Sequence, residues 1–330
     1  MTGSIVMGVN PYGLTYTLGL QGAGTPRANP NGTGLDGFVD IASEIGAKSI
    51  EIFNPWLTQL GTAGRAALKS RLADLGMAPI VSAGLSEGVV EPLQNAVELD
   101  ARTMRLGLSS ILCGDRNAYG AARFAGLIAE IRAGLGELAP RAAEHGVTVA
   151  IENHQDFGSA ELLAFAEEAG DNVGLTFDTG NAFPVAESPL SFVRAVAHRV
   201  RHVHLKDYRV QFTDEGYRLV RCALGDGVVP FRELLSILLD TGQTFTSSLE
   251  LAALEARHVR LLTPDWWRGY APKDARALAE VLAAARPKLI PESEDFRTPW
   301  ERGADGELIA YENEQLHRSA AFLRSLDLMG

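Results

Sequence analysis

An α/β fold, a parallel (β/α)8 barrel with a C-terminal extension, is the fold class the sequence predicts, on three observations. Short β-like runs alternate with longer helix-like runs along most of the chain, the pattern of parallel βα units. Eight such β-like runs occur, with no low-complexity linker between them. The competing doubly wound sheet carries a G-x-G-x-x-G turn after its first strand, and here Gly19, Gly22 and Gly24, followed by Pro26, do not make it. A barrel of this kind needs about 250 residues. Residues 1–287 supply it, and residues 288–330 are left as an extension with a terminal helix.

The expected strands, in order, are Ser4–Val9, Ser49–Phe53, Ala78–Ser82, Ser109–Cys113, Thr148–Glu152, Val173–Asp178, His202–Lys206 and Thr246–Leu251. Amphipathic stretches lie between them. In the first, Phe38, Ile41, Ala42 and Ile45 follow the spacing of one helix face, and Gly46 stands where that helix should end. Two insertions interrupt the regular alternation. The loop from Pro11 to Gly34 is long and rich in Gly, Asn and Tyr, on the face where barrel enzymes bind substrate. Between strands seven and eight, "YRVQFTDEGYRLVRCALGDG" predicts a hairpin turning at Asp214-Glu215-Gly216. In the extension, Leu316, Ala320 and Leu323 align on one helix face, which either packs on the barrel or meets a partner.

Composition narrows the function classes. With 46% hydrophobic and 22% charged residues, the chain reads as a globular protein with a sizeable core. A formal net charge of −11 argues against a nucleic-acid partner, which calls for a basic face. Two cysteines, Cys113 and Cys222, make neither a disulfide framework nor a metal cluster. The uncharged stretch before Arg27 lacks a basic n-region, and no apolar run approaches the roughly 20 residues that span a bilayer. The expectation is a cytoplasmic protein with no membrane partner.

The ends of the last four strands carry the chemistry. They read "AIENH", "LTFDTGN", "HVHLKDY" and "SLELA", and each holds one metal-competent residue: Glu152, Asp178, His204 and Glu250. The first three are spaced 26 residues apart, one βα unit each, and the last step is 46 because of the hairpin. In a barrel these ends are neighbours on the C-terminal rim. Three converging carboxylates resist ionisation unless a cation sits among them. Three oxygen donors and one imidazole suit Mn²⁺, Mg²⁺, Co²⁺ or Fe²⁺ better than a thiolate-selected metal, with one divalent ion expected. In "VAIENHQD", Glu152 and His154 stand two apart and so face one space. His154 is the expected general base, or else a donor that orients Glu152. Glu152 and Glu250 are further catalytic candidates, as is Lys206, which either polarises a substrate oxygen or is held in a salt bridge. Asn10, Tyr12, Trp56, Asn181 and Trp266 are expected to line a sugar or flat substrate group. Tyr16 and Trp267 are further candidate walls, and His202, deeper than His204, is expected in the core behind the metal.

At these motifs the chain resembles the xylose isomerase-like barrels, the sugar phosphate isomerase/epimerase superfamily of TIM barrels. "IENH", "FDTGN", "HVHLKDY" and "LEL" carry the resemblance, which covers residues 1–287. It implies a mononuclear site of the Mn²⁺ type at the same four residues, without specifying the reaction. Ketohexose 3-epimerases of the group carry a histidine where this chain has Asn181, Gly-Glu where it has Lys206-Asp207, and an arginine where it has Val210. These departures argue against a free-ketose epimerase. The endonuclease branch uses additional histidines that this chain does not match. Together, "ENHQDF", "HLKDY", "GYRLVRCALGDG" and "TPWERG…YENEQLHRS" look most like the catalytic α subunits of bacterial C-glycoside deglycosidases. That resemblance implies a lyase cleaving 3-oxo-C-glycosides with a small β subunit in a hetero-oligomer. The alternatives are a metal-dependent sugar isomerase or epimerase, working as a homo-oligomer, and a non-catalytic barrel subunit.

Overall fold

The computed structural model describes residues 3–251 and 253–326. The expected domain ranges extend beyond these at residues 1, 2, 252 and 327–330, which lie outside the described residues. The strands are β1 (Ser4–Val6), β2 (Gly8–Val9), β3 (Ser49–Phe53), β4 (Ala78–Gly84), β5 (Thr103–Gly107), β6 (Thr148–Glu152), β7 (Val173–Asp178), β8 (Val200–Leu205), β9 (Asp207–Thr213), β10 (Gly216–Cys222), β11 (Thr244–Leu249) and β12 (Arg257–Val259). The helices are α1 (Gly34–Glu44), α2 (Asn54–Asp74), α3 (Val90–Leu99), α4 (Ala121–Glu144), α5 (Ser159–Ala169), α6 (Pro189–Val196), α7 (Phe231–Leu239), α8 (Ala275–Ala284) and α9 (Leu308–Ser325).

A closed parallel barrel results, with strand order β1/β2, β3 to β8 and then β11, which returns to both β1 and β2. The first expected strand is broken at Met7, and its halves pair with β11 at Ser4 with Thr244 and at Val9 with Leu249. Parallel strands covered by helices on the outside and filled by side chains inside read as nearly unbroken apolar runs, and all six residues of β7 are buried although the last is Asp178. Against that background a buried charge has to be explained.

One expected strand is displaced. Residues 109–113 are loop, and the fourth barrel strand is Thr103–Gly107. The apolar Ile111-Leu112-Cys113 run suggested a strand, but Cys113 has φ +57° and Gly114 +66°, a left-handed pair that turns the chain. Ser109 fixes the turn by accepting from the Ile111 amide at 3.2 Å.

The hairpin β9–β10 forms where expected, reversing after Thr213, and β12 joins it to make a small antiparallel sheet over the barrel mouth. The extension runs beside β9, with the Ile290 amide donating to the Val210 carbonyl at 2.7 Å. Helix α9 then buries Leu316, Ala320 and Leu323 on the barrel exterior, and Phe322 meets Phe231 of α7 edge-on at 5.7 Å. The aligned face of the extension is thus covered by its own barrel.

Glu312 of α9 reaches the first βα loop. Fully buried, it accepts from the Tyr16 and Thr17 amides, both at 2.8 Å, and from the Thr17 hydroxyl at 2.6 Å. Arg27 in the same loop pairs with Asp305 and lies 3.5 Å over the Trp300 ring. The long glycine-rich loop is therefore anchored by the far end of the chain.

Candidate functional site

Glu152 and Asp178 are the last residues of β6 and β7, His204 is one before the end of β8, and Glu250 follows β11 directly. The register sets Asp178 opposite His204, and His204 opposite Ser248. One ligand atom from each of Glu152, Asp178, His204 and Glu250 lies within 4.8 Å of every other. All four residues are buried.

Two charged residues in this centre were not anticipated. Glu51, in the middle of β3, has its Oε2 at 2.7 Å from Nε2 of His204, while Nδ1 of His204 faces Glu152 at 3.2 Å and Glu250 at 2.7 Å. Arg105 of β5 pairs with Glu152, and Lys206 Nζ lies 2.6 Å from Asp178 and 2.9 Å from Glu250.

These contacts decide the protonation. Burial raises the affinity of Glu152 for a proton, but Arg105 and His204 more than offset it and hold its carboxyl down at about 2. Glu250 is likewise held well below the usual carboxylate range, against burial, by Lys206 and His204. Burial pushes Asp178 up to about 6, with Lys206 opposing. Burial disfavours the charged form of His204, yet Glu51 and Glu250 raise its affinity for a proton well above that of a free imidazole.

The donor set fits a divalent cation. Four buried carboxylates, Glu51, Glu152, Asp178 and Glu250, stand against two fixed cations, Arg105 and Lys206, a deficit that one dication cancels. Oε2 of Glu250, although near His204, has no hydrogen-bond partner among the described residues. Nδ1 of His204 is the nitrogen turned to Glu152 and Glu250, and Glu51 on Nε2 fixes the ring as a carboxylate does behind a metal-bound histidine.

A cavity of about 690 Å³ opens beside this centre, bordered by Arg105, His154, Tyr12, Phe53, Leu85 and Tyr119. His154 is half-buried, and burial pushes its imidazole down to about 4, so the ring is neutral near pH 7. Its Nδ1 has no partner among the described residues. Lys206 is held fully protonated by Asp178 and Glu250 despite burial, which makes it a fixed cation rather than a proton carrier.

The remaining candidates divide. Tyr12 borders the cavity and meets Phe53 edge-on at 5.0 Å. Asn10 caps the turn by accepting from the Tyr12 amide at 2.7 Å, and its Nδ2 is unpartnered. Asn181 donates to Asp178 at 2.7 Å, which orients that carboxylate and leaves its own Oδ1 unpartnered. Trp56 packs between Phe38 and Phe53 and is not on the cavity wall. Trp266 is turned away as well: its indole donates to the Cys113 carbonyl at 2.8 Å and stacks on Tyr270. The displaced 109–114 loop takes up its ring, and Gly114 leaves room for that contact. Tyr16 and Trp267 have structural partners too, and His202 lies in the core, bonded to Thr246 at 2.8 Å and Ser248 at 3.1 Å.

The family model of the xylose isomerase-like TIM barrel matches residues 39–284, and the chain belongs to that family. An inosose dehydratase of Erwinia tasmaniensis is 32% identical over 126 residues, covering 33% of this chain and 42% of that protein. The chain thus spans about two fifths of the length of these curated relatives. Among solved structures, D-allulose 3-epimerase from Methylomonas sp. superposes with a TM-score of 0.54 at 16% identity, covering 98% of each chain. The IolI protein, solved with a bound zinc atom, gives 0.52 at 15% identity over 86% of this chain and 99% of its own. These likenesses establish the fold. Among the described residues no helix is long and apolar enough to cross a membrane.

Proposed function

We propose that the chain is a divalent-metal-dependent enolising enzyme acting on an oxidised sugar, and specifically a lyase that cleaves 3-oxo-C-glycosides. The observation that carries the reading is a neutral imidazole, His154, on the wall of a cavity that it shares with Arg105, the ion-pair partner of the Glu152 ligand. Glu152, Asp178, His204 and Glu250 would hold the ion, with Mn²⁺ the first choice for three oxygens and one nitrogen. When bound, it supplies a Lewis acid for the oxygens of a ketone and its neighbouring hydroxyl.

The protein's own residues do the rest. His154 takes the proton from C2, beside the C3 ketone. The C2–H electrons form the C1=C2 bond, the C1–aglycone bond breaks, and the departing aglycone carbon picks up a proton, returned by the His154 imidazolium. A positioned base of this kind contributes roughly 10²–10⁴-fold. Glu152 and Glu250 are weaker bases than His154, since the neighbouring cations hold their carboxyls lower. Asn181 and Lys206 keep Asp178 in place. The dehydration named in the inosose dehydratase relatives is also an elimination, which lends support to the class. In this reading the protein is cytoplasmic and works with a small second subunit.

The test offers 3-oxo-puerarin to the Mn²⁺-loaded protein, alone and with any small polypeptide that co-purifies. Release of free aglycone is expected. An isomerised sugar with the C-glycosidic bond intact would replace the lyase by an isomerase or epimerase, and no turnover of oxidised or free sugars would leave a non-catalytic barrel.

A further inference from the structure

The small sheet over the barrel mouth has an inner face on which buried polar atoms lack hydrogen-bond partners among the described residues. Tyr208 of β9 and Arg221 of β10 are directly opposed, as are Leu219 of β10 and Arg257 of β12. Residues opposed or two apart share a face, so Tyr208, Arg221 and Arg257 point to one side, with Arg257 diagonal to Arg221. The alternate residues Arg209 and Arg218 occupy the other face and are satisfied there, by Glu294 at 2.7 Å and Gln211 at 2.9 Å.

On the inner face the accounting fails. Tyr208 is fully buried and its hydroxyl has no partner among the described residues. Arg221 is 6% exposed, and its Nε has none either; Nη1 donates to the Glu255 carbonyl at 3.2 Å. Nε of the half-buried Arg257 is also unpartnered. The other buried arginines, Arg65 and Arg116, each meet a carboxylate, at 2.7 Å and 2.5 Å. Arg221, taken out of water with no carboxylate in salt-bridge range among the described residues, lies beside the like charge of the half-buried Arg257, a costly arrangement unless an anion completes it. The face packs beside the ligand cluster, where Tyr208 and Lys206 both close on the backbone of Gly180. Gly180, two residues past the Asp178 ligand, makes the close packing possible, since a Cβ there would stand 2.6 Å from the Tyr208 ring.

We propose that Tyr208, Arg221 and Arg257 form a subsite for an anionic substituent, a carboxylate or phosphate monoester, carried by the substrate beside the candidate metal centre. A planar guanidinium matches either group through paired N–H donors, and the phenol adds a neutral donor. The inference deepens the proposed function and rests on the barrel mouth being the substrate site, but not on which bond the enzyme cleaves. It adds to that reading a preference for an acidic or phosphorylated derivative of the sugar over the neutral one, despite the chain's overall negative charge.

The experiment needs no turnover. Inorganic phosphate, D-glucuronate and neutral D-glucose are titrated calorimetrically into the wild-type protein, Mn²⁺-loaded and after chelation, and into Arg221→Gln, Arg221→Lys and Arg257→Gln. Binding of phosphate or glucuronate that survives chelation, and that weakens at least about tenfold in Arg257→Gln and Arg221→Gln with partial recovery in Arg221→Lys, is expected. The anion bound more tightly identifies the substituent. Should Arg221→Gln fail to fold, the half-exposed Arg257 carries the test. Anion binding that vanishes with the metal, that is unchanged in the arginine variants, or that is absent from the wild type would overturn the subsite. Loss of Mn²⁺ binding with anion binding intact would instead sink the proposed chemistry and leave the subsite standing.

Discussion

Oε2 of Glu51 lies 2.7 Å from Nε2 of His204, so the imidazole of β8 is held from behind by the carboxylate of β3 while its Nδ1 looks toward the other ligands. Removing that carboxylate frees the ring to rotate and lowers its basicity. Glu51→Gln is expected to weaken Mn²⁺ binding roughly 10–100-fold with the fold intact, as losses behind a metal-bound histidine do. Calorimetric titration of the chelated protein measures it, and equal affinities would remove Glu51 from the centre.

His154 and the four ligands should separate in their effects. His154→Gln is expected to keep a full complement of Mn²⁺ by elemental analysis while turnover of the oxidised glycoside falls roughly 10²–10⁴-fold. Glu250→Gln should lose metal and turnover together. A His154 variant that loses its metal would make that residue a ligand rather than a base.

Asp156 gives the pH dependence. It is fully buried, accepts from Ser109 at 2.6 Å and from the Phe157 amide at 2.9 Å, and burial pushes its carboxyl up to about 7. Because the folded chain holds this proton more tightly than the unfolded chain, the stabilisation is complete below about pH 4 and is lost as pH rises toward 7. Its upper limit is roughly 4 kcal/mol, at about 1.4 kcal/mol per pH unit. Urea unfolding at pH 5 and pH 8 should show a larger loss in the wild type than in Asp156→Asn, and parallel losses would refute the assignment.

Glu312→Ala leaves the Tyr16 and Thr17 amides and the Thr17 hydroxyl of the first loop without their acceptor. A cost of about 2 kcal/mol or more is expected, since each buried donor left unpaired costs about 1–3 kcal/mol. Hydrogen exchange should locate the damage at the Tyr16 and Thr17 amides. Unchanged protection there would show that the loop holds its shape without the extension.

Much of the site was legible because charge is conspicuous inside apolar strands. Glu152, Asp178, His204 and Glu250 stand out at the ends of four such runs, and the even spacing gave their order around the rim. Glu51 carried the same signal, a carboxylate between two isoleucines in "SIEIF", but it lies within its strand and not at the end. Arg105 was hidden by a misplaced strand: Ile111-Leu112-Cys113 is the more apolar run, and only its backbone turn shows that β5 ends earlier, with the arginine inside it. Trp266 shows the opposite limit. An aromatic after the eighth strand is near the mouth by topology, but which way its ring turns depends on a loop more than 150 residues upstream that sequence does not connect to it.

The partnership of Ser4 with Thr244 has a bearing on how the chain is made. The ring cannot shut until its eighth stave, ending at Leu249, has left the ribosome. Until then the strands at the two open margins expose unpaired backbone, the arrangement most prone to join a neighbouring nascent chain. Protection during synthesis therefore has to come from outside the incomplete ring, and slowing translation between α7 and β11 should raise aggregation more than slowing it after Leu249.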